Sequence, residues 1–235
     1  MNQSNMTNTK RNYIICFSLI GVLLFLDQLI KIWVKTHYAI GEGVNLIGNW
    51  CQIYFVENEG IAFGISFGEN AGKLILSLFR LVAAAGIMVF LIKRIKQGMR
   101  MLLMLSVSLI FVGAVGNLLD SCFYGLIFNE STTAQVATLF PEGGGYGRFL
   151  YGKVVDMFYF PIAEWTWPTW MPWFGGSHAE FFNAIFNLAD AAVCVGVLLL
   201  VIDQFRGDKS KETAEEEVVA DVETETVAEE AQISE

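Results

Sequence analysis

The sequence predicts an all-α membrane protein: a bundle of four transmembrane helices with a small β-rich region and a long aromatic loop outside the membrane. The first observation is composition, since the 235 residues are 54% hydrophobic and 17% charged, whereas an ordinary soluble domain is about 25% charged. The second is the presence of four stretches with the roughly 20 apolar residues that cross the hydrocarbon core. These stretches lie at about 13–33, 72–92, 101–120 and 182–202.

The net charge of −9 belongs to the C-terminal tail. Residues 207–235 hold 11 acidic and two basic residues, which leaves 13 of each in residues 1–206. We therefore predict a neutral membrane domain over 1–206 and an acidic, disordered cytoplasmic tail over 207–235. Because the membrane domain has no basic face, binding to nucleic acid is excluded.

The first apolar stretch is interpreted as a retained transmembrane helix rather than a secretory signal peptide. Its apolar run is longer than a signal-peptide h-region, and no small-x-small cleavage site precedes Asp27.

Basic residues at the ends of the spans predict the orientation of the chain. They cluster at 10–11, 93–100 and 206–211, and short loops rich in Lys and Arg remain in the cytoplasm. Both termini are then cytoplasmic, and the loops at about 35–71 and 122–181 lie outside.

The outer loops carry structure of their own. The first contains two short β-prone runs, at 44–47 and 52–56. The second holds all four prolines and four of the six tryptophans, and because Trp favours the lipid–water boundary, we expect part of this loop to lie on the membrane. Cys51 and Cys122 could both face the outside and pair, which the sequence leaves open.

Polar residues of all four spans fall at one depth, just below the outer surface. An ionisable side chain inside a span costs about 2.5–3.5 kcal/mol on insertion scales, and scattered structural residues would not be expected to favour one leaflet. Asp27 and Lys31 could simply neutralise each other across one helical turn, and amides could join helices. The residues at this level are Asp27, Lys31, Arg80, Asn117, Asp120, Asn187 and Asp190.

Asp190 is the best candidate for chemistry among these residues. It has no basic residue within a turn on either side, so its partner must come from elsewhere in the fold. Two aspartates held close together share one proton, and such a pair can activate water while polarising a carbonyl group. From the residues alone Asp27, Asp120 and Asp156 remain alternatives for the second aspartate.

Several short motifs, taken in order, resemble the lipoprotein signal peptidases, which are bacterial membrane aspartic endopeptidases. The likeness covers about 13–205, and it implies that 44–67 is the family's β-rich cradle, which supports the signal peptide. The matching blocks are Asp-Gln-Leu-Ile-Lys at 27–31, Glu-Asn-Glu-Gly-Ile-Ala-Phe-Gly at 57–64, Gly-Asn-Leu-Leu-Asp at 116–120, Val-Val-Asp-Met-Phe at 154–158 and Phe-Asn-Leu-Ala-Asp at 186–190.

The resemblance implies hydrolysis of the peptide bond before the diacylglyceryl-cysteine of a prolipoprotein, with Asp156 and Asp190 as the catalytic pair. It implies no metal and no organic cofactor, a monomer that contacts membrane lipids, and a place in the bacterial inner membrane with the active site near its outer face. The residues that it places around the pair are Asp27, Lys31, Asn58, Gly60, Asn117, Asp120 and Asn187.

The chain departs from this family pattern in two places. Many members have Arg directly after the aspartate of the Gly-Asn-x-x-Asp block, whereas this chain has Ser121. We expect Arg148 or Lys153 to replace that charge beside Asp120. The second departure is an insertion at 121–155, interpreted either as a lid or substrate-contacting hairpin or as a passive surface segment.

A small transporter or channel component is the rival interpretation, because buried Asp, Arg and Asn also line ion pathways. It predicts polar groups through the whole depth of the membrane, but the inner halves of the spans are almost uniformly apolar.

Overall fold

The computed structural model describes the backbone of residues 3–59 and 69–206, and side chains within 7–59 and 71–206. This part of the chain contains four long helices, each apolar and long enough to cross a membrane. The helices are α1 (Gln3–His37), α2 (Glu69–Lys96), α3 (Met101–Ile127) and α4 (Leu188–Arg206).

Helix α3 is the centre of the bundle, and half of its most apolar segment is buried. It packs against both α1 and α2, and two glycines let α4 approach it closely. A Cβ on Gly116 would lie 2.8 Å from the Ala189 Cβ, and one on Gly113 would overlap the Val193 side chain. These small residues therefore allow the close helix packing that is common in membrane bundles.

A four-stranded antiparallel sheet covers the end of the bundle at which α4 begins. The strands of the described chain are β1 (Gly43–Ile47), β2 (Cys51–Asn58), β3 (Val154–Tyr159), β4 (Ala163–Thr166), β5 (His178–Phe181) and β6 (Ile185–Phe186). The strand order in the sheet is β1-β2-β3-β6. A separate two-stranded ribbon is made by β4 and β5.

The insertion at 121–155 packs into the core at both of its ends and at Ala137, so it is more than a passive surface segment, although 132–135 and most of 138–145 are exposed. Helix α3 continues to Ile127, beyond the predicted end at 120, and the next residue, Phe128, has no exposed surface. Phe128 packs with Val155 and Phe55 in the core beneath the sheet. The Ile40 N–H also donates to the Thr132 carbonyl (3.0 Å), which ties the insertion to the chain after α1.

The fourth helix begins later than predicted. Its apolar run starts near 182, but Ile185 and Phe186 form β6 against β3, and the helix starts at Leu188. A run of apolar residues does not by itself distinguish a strand from a helix. The predicted tail at 207–235 lies outside the described residues, and the four cysteines, which all lie within them, are free thiols.

Candidate active site

Asp156 lies in the middle of β3 and is 5% exposed. Because side chains alternate along a strand, Val155 and Met157 fill the core while Asp156 faces the opposite side. Asn58 of β2 pairs in register with Val154, so its side chain shares a face with Asp156 and hydrogen-bonds its carboxyl group. Burial first, and the nearby carboxylate of Asp190 second, raise the pKa of Asp156 to about 7.

Asp190 is half-buried in the first turn of α4. Asn187 caps this helix, since its Oδ1 accepts from the Asp190 N–H (3.0 Å), while Asp190 Oδ2 accepts from the Asn187 N–H (3.3 Å). These reciprocal bonds are a capping box made by Asn and Asp. The local sequence Asn-x-x-Asp therefore both starts α4 and orients one of the two candidate carboxyl groups.

Two asparagines connect the carboxyl groups of Asp156 and Asp190. Asn187 Nδ2 donates to Asp156 Oδ1 (2.6 Å) and lies 3.0 Å from Asn117 Oδ1. Asn117 Nδ2 in turn donates to Asp190 Oδ1 (2.8 Å). The two aspartates come from a strand and a helix, yet one short hydrogen-bond chain holds both.

A fully buried ionic cluster contacts this network through Asn117. Lys31 Nζ lies 3.0 Å from Asp27 Oδ2 and 2.8 Å from Asp120 Oδ2, and it also donates to Asn117 Oδ1 (2.9 Å). Lys31, Asp27 and Asp120 have no exposed surface. Two carboxylates around one ammonium leave an excess of negative charge, which hydrogen bonds from neighbouring N–H groups help to stabilise.

The carboxylates of this cluster also hold other elements in place. The Ala189 N–H at the start of α4 donates to Asp27 Oδ1 (3.0 Å), and the Val155 N–H of β3 donates to Asp120 Oδ2 (3.3 Å). Asp27 thus positions the helix of Asp190, and Asp120 positions the strand of Asp156.

Gln28 is a member of the cluster that the sequence interpretation missed. Its Nε2 donates to Asp120 Oδ1 (2.9 Å) and Asp27 Oδ2 (3.1 Å), and its Oε1 accepts from the Tyr124 hydroxyl (3.1 Å). Its position inside the Asp-Gln-Leu-Ile-Lys block was the available signal. A neutral amide, however, carries no charge that requires a buried partner, so the residue type alone does not predict its contacts.

The sequence interpretation also missed a second buried cluster, around Lys35. Its ammonium contacts the Glu57 carboxylate and donates to Ser131 Oγ (2.7 Å). It also lies 5.2 Å from the ring centroid of Phe128 and 5.3 Å from that of Tyr146, in the range of a cation–π interaction. Glu57 directly precedes Asn58, so this cluster fixes the strand that reaches Asp156.

The expectation that Arg148 or Lys153 neutralises Asp120 is wrong. Lys31 is the cation at Asp120, and Lys153 lies 3.3–3.9 Å from carboxylate oxygens of Glu57, Glu59 and Glu130. Arg148 lines a polar pocket of about 520 Å³ together with Lys153.

Arg80 of α2 supplies a positive charge near Ser121. Its Nη1 lies 3.5 Å from Ser121 Oγ, and Asp190, Asp120 and Asp156 are the acidic groups that act on its charge. The guanidinium thus approaches the position after Asp120 from a different helix.

Seven of the nine residues predicted for the site form one connected network: Asp27, Lys31, Asn117, Asp120, Asp156, Asn187 and Asp190. Asn58 joins it through Asp156, and Gly60 lies outside the described residues. Among the described side chains, no group of three or more His, Cys, Asp and Glu is arranged to hold a metal ion. Two carboxyl groups joined by amides can divide the acid and base roles of a hydrolysis.

Comparison with known proteins gives a consistent result. The model of the signal peptidase (SPase) II family matches residues 19–206. A protein of Porphyromonas gingivalis named lipoprotein signal peptidase is 47% identical over 186 residues, which cover 79% of this chain and 80% of that protein. Another of that name, from Amoebophilus asiaticus, is 35% identical over 76% of this chain and 72% of its own length.

Two solved structures, each described as a bacterial membrane enzyme, share the fold. Their TM-scores are 0.51 and 0.52, each at 22% identity, and they cover 81% and 80% of this chain and 87% and 91% of their own. The predicted bundle of four membrane helices with a small β-rich region is confirmed.

Proposed function

The chain belongs to the signal peptidase II family, and we propose that Asp156 and Asp190 are the two carboxyl groups that perform its reaction. The protein is an aspartic endopeptidase that cleaves prolipoproteins before the diacylglyceryl-cysteine and releases the signal peptide. The observation that carries the proposed pair is the hydrogen-bond chain Asp156–Asn187–Asn117–Asp190, because it holds two acids in one fixed relation.

We assign different roles to the two acids. Asp156, whose pKa is raised to about 7, holds the shared proton up to about neutral pH and donates it to the scissile carbonyl group. Asp190 is the ionised base that removes a proton from water. Its carboxylate accepts from the Asn117 side chain and the Asn187 N–H, and a helix N-terminus favours negative charge. Asp190 then gives the proton that it took from water to the leaving amine, and Asp156 recovers its own proton from a hydroxyl group of the tetrahedral intermediate as the carbon–nitrogen bond breaks.

The surrounding residues serve this pair in three ways. Asn58, Asn117 and Asn187 orient the acids and bind substrate backbone, and Gly60 belongs to the same substrate-binding segment by its place in the motif. The cluster of Asp27, Lys31 and Asp120 anchors the elements that carry the acids. Arg80 supplies positive charge that favours the ionised form of the pair.

The protein is a multi-pass protein of the bacterial inner membrane. We further propose that both termini are cytoplasmic and that the active site lies near the outer face. Three basic residues in the last turn of α2 support this orientation, since they mark the end of the bundle opposite the sheet. Prolipoproteins are the substrates, and we propose that the enzyme works as a monomer surrounded by membrane lipid.

Substitution of each acid tests the catalytic pair. We expect Asp156→Asn and Asp190→Asn each to lower the rate of prolipoprotein cleavage by about 10³-fold, the scale of general acid–base catalysis. The measurement is cleavage of a diacylglyceryl prolipoprotein by purified protein in micelles. Asp203→Asn is the matched control, because Asp203 is also buried and ion-paired, with Arg100, but at the other end of the bundle. Full activity of either Asp156→Asn or Asp190→Asn would refute the assignment.

The assigned roles predict a pH dependence. Asp156 must be protonated to act as the acid, so kcat/KM should fall as the pH rises above about 7. Folding raises this pKa from its ordinary 3.8 to about 7, so this group lowers the stability of the native state as the pH rises between those two values, and the loss is complete at pH 8. Asp156→Asn should therefore keep or raise the melting temperature at pH 8 while abolishing activity. A rate that instead increases from pH 7 to pH 9 would exclude Asp156 as the acid.

A further inference from the structure

The two-stranded ribbon leaves the sheet at a point that lies, along the chain, between Asp156 and Asp190. The last pair of the β3–β6 ladder is Tyr159↔Ile185. Residues 160–184 leave the ladder there, and we call this segment the ribbon. Within it β4 and β5 pair from Ala163↔Phe181 to Thr166↔His178. The ribbon therefore forms the link between the strand of Asp156 and the helix of Asp190 without contributing to their hydrogen-bond network.

The ribbon has one apolar and one polar face. Directly paired residues share a face, and successive residues alternate between faces. The apolar face carries Ala163, Trp165, Ala179 and Phe181, and the polar face carries Glu164, Thr166, His178 and Glu180.

Side-chain contacts agree with this division. The ring centroids of Trp165 and Trp167 lie 5.7 Å apart, and Phe174 lies 6.4 Å from Trp167, so the aromatic face continues into the loop at the tip. On the polar face, His178 Nε2 lies 3.5 Å from Glu180 Oε1 and 3.9 Å from Glu164 Oε2.

The aromatic side chains of the ribbon are largely uncovered by the rest of the described chain. Trp173 is 93% exposed, Trp170 78%, Phe181 58% and Phe174 57%. An apolar surface of this size, on the face and at the tip of an amphipathic element, indicates a binding surface.

We propose that the ribbon lies on the lipid bilayer at the N-terminal end of α4, with its aromatic face among the lipid headgroups and its polar face in water. The patch is continuous with the lipid-facing surface of the bundle: exposed Phe182 follows β5, and exposed Val195 and Leu198 lie on α4, which begins at Leu188. Trp is the side chain most suited to the lipid–water boundary. No Lys or Arg occurs between 154 and 205, so the contact does not depend on anionic lipid.

Fluorescence quenching in lipid nanodiscs tests the proposal. The full chain carries Trp33→Phe and Trp50→Phe, so that all four remaining tryptophans lie in the ribbon. We expect phosphatidylcholine brominated on its acyl chains near the headgroup to remove about half of the emission, as for interfacial tryptophan, and aqueous iodide to have little effect. Strong quenching by iodide together with no quenching by the brominated lipid would overturn the proposal.

Two neighbouring substitutions separate the faces. Trp165→Glu and Thr166→Glu each add one carboxylate, but on opposite faces of β4. We expect only Trp165→Glu to decrease quenching of the remaining tryptophans by brominated lipid, and equal effects would contradict the two-faced arrangement. If Trp165→Glu prevents folding, the quenching of the unaltered ribbon still decides the question.

Two other occupants of the aromatic face would give different results. Protection from iodide in detergent that increases with protein concentration would identify a second copy of the chain. Protection that appears only after a signal peptide is added would identify the substrate. Either result would overturn the lipid contact, but neither would affect the assignment of Asp156 and Asp190.

Discussion

Lys31 and Lys35 lie one turn apart on α1, and neither has exposed surface, yet they bind different parts of the molecule. The partners of Lys31 are side chains of α1 and α3, within the bundle. The partners of Lys35 are Glu57 of β2 and Ser131 of the insertion. The first cluster joins helices, and the second joins the sheet and the insertion to the end of α1.

The difference shows how one helix fixes both aspartates. Through Asp27 and Asp120, the Lys31 cluster reaches the backbones of α4 and β3. The Lys35 cluster reaches Asn58 through Glu57 and so approaches Asp156 from β2. The Lys31 cluster has two carboxylates for one lysine, whereas Glu57 has a second cation nearby, Lys153, at 3.8 Å. The two clusters should therefore respond differently to the loss of their lysine.

Lys31→Met should have the largest effect. It leaves Asp27 and Asp120 buried with no cation between them, and breaking a buried ion pair costs about 3–5 kcal/mol. We expect little folded protein, measured by size-exclusion chromatography and thermal unfolding in detergent. Lys10→Met, at an exposed position of the same helix, is the control. A folded and active Lys31→Met enzyme would show that the two clusters do not differ as described.

Lys35→Met should have an intermediate effect on stability, about 2–3 kcal/mol, because Lys153 still compensates Glu57. The protein should fold, and its thermal midpoint should decrease. Lys35→Met with Glu57→Gln should recover part of the loss, since it removes the uncompensated carboxylate as well. A double variant less stable than either single variant would show that the residues do not act as a pair.

Arg80→Gln should have the smallest effect, a decrease of about tenfold in kcat/KM, equal to about 1.4 kcal/mol, with an unchanged thermal midpoint. The control is Arg94→Gln, which removes a charge at the opposite end of the same helix. Because Arg80 reaches Ser121, Arg80→Ser combined with Ser121→Arg should regain part of the activity. No rescue, with the protein folded, would mean that Arg80 acts otherwise than through charge at this position.

The sequence is informative about the Lys31 cluster because depth in the membrane can be counted along a helix. A rise of about 1.5 Å per residue places Asp27, Lys31, Asn117 and Asp190 at one level, and the structure joins them. The fold class follows from the same count. The choice of Asp156 as the second acid was different: three aspartates met the physical criteria, and the family motif selected one.

The Lys35 cluster could not be predicted from the sequence, because the depth of a residue in the membrane does not specify which loop residues it contacts. Lys35 lies near the end of its span, where a lysine ordinarily reaches water. Ser131 lies in a polar stretch without periodicity, 96 residues away along the chain. Only the folded path of the insertion brings the two together. Residues 182–186 are likewise predicted to be helical from their apolar character, because the pairing of β6 with β3 is a long-range contact that the local sequence does not reveal.

The bond between Asp27 and the first turn of α4 spans 162 residues and has a consequence for biosynthesis. A ribosome delivers α1 and α3 to the membrane well before α4, and Asp190 arrives only with that last helix. Until then the nascent chain holds Asp27 and Lys31 but only Asp156 of the two aspartates that we propose as the catalytic pair. With that pair, we expect proteolytic activity to begin only when the final helix docks.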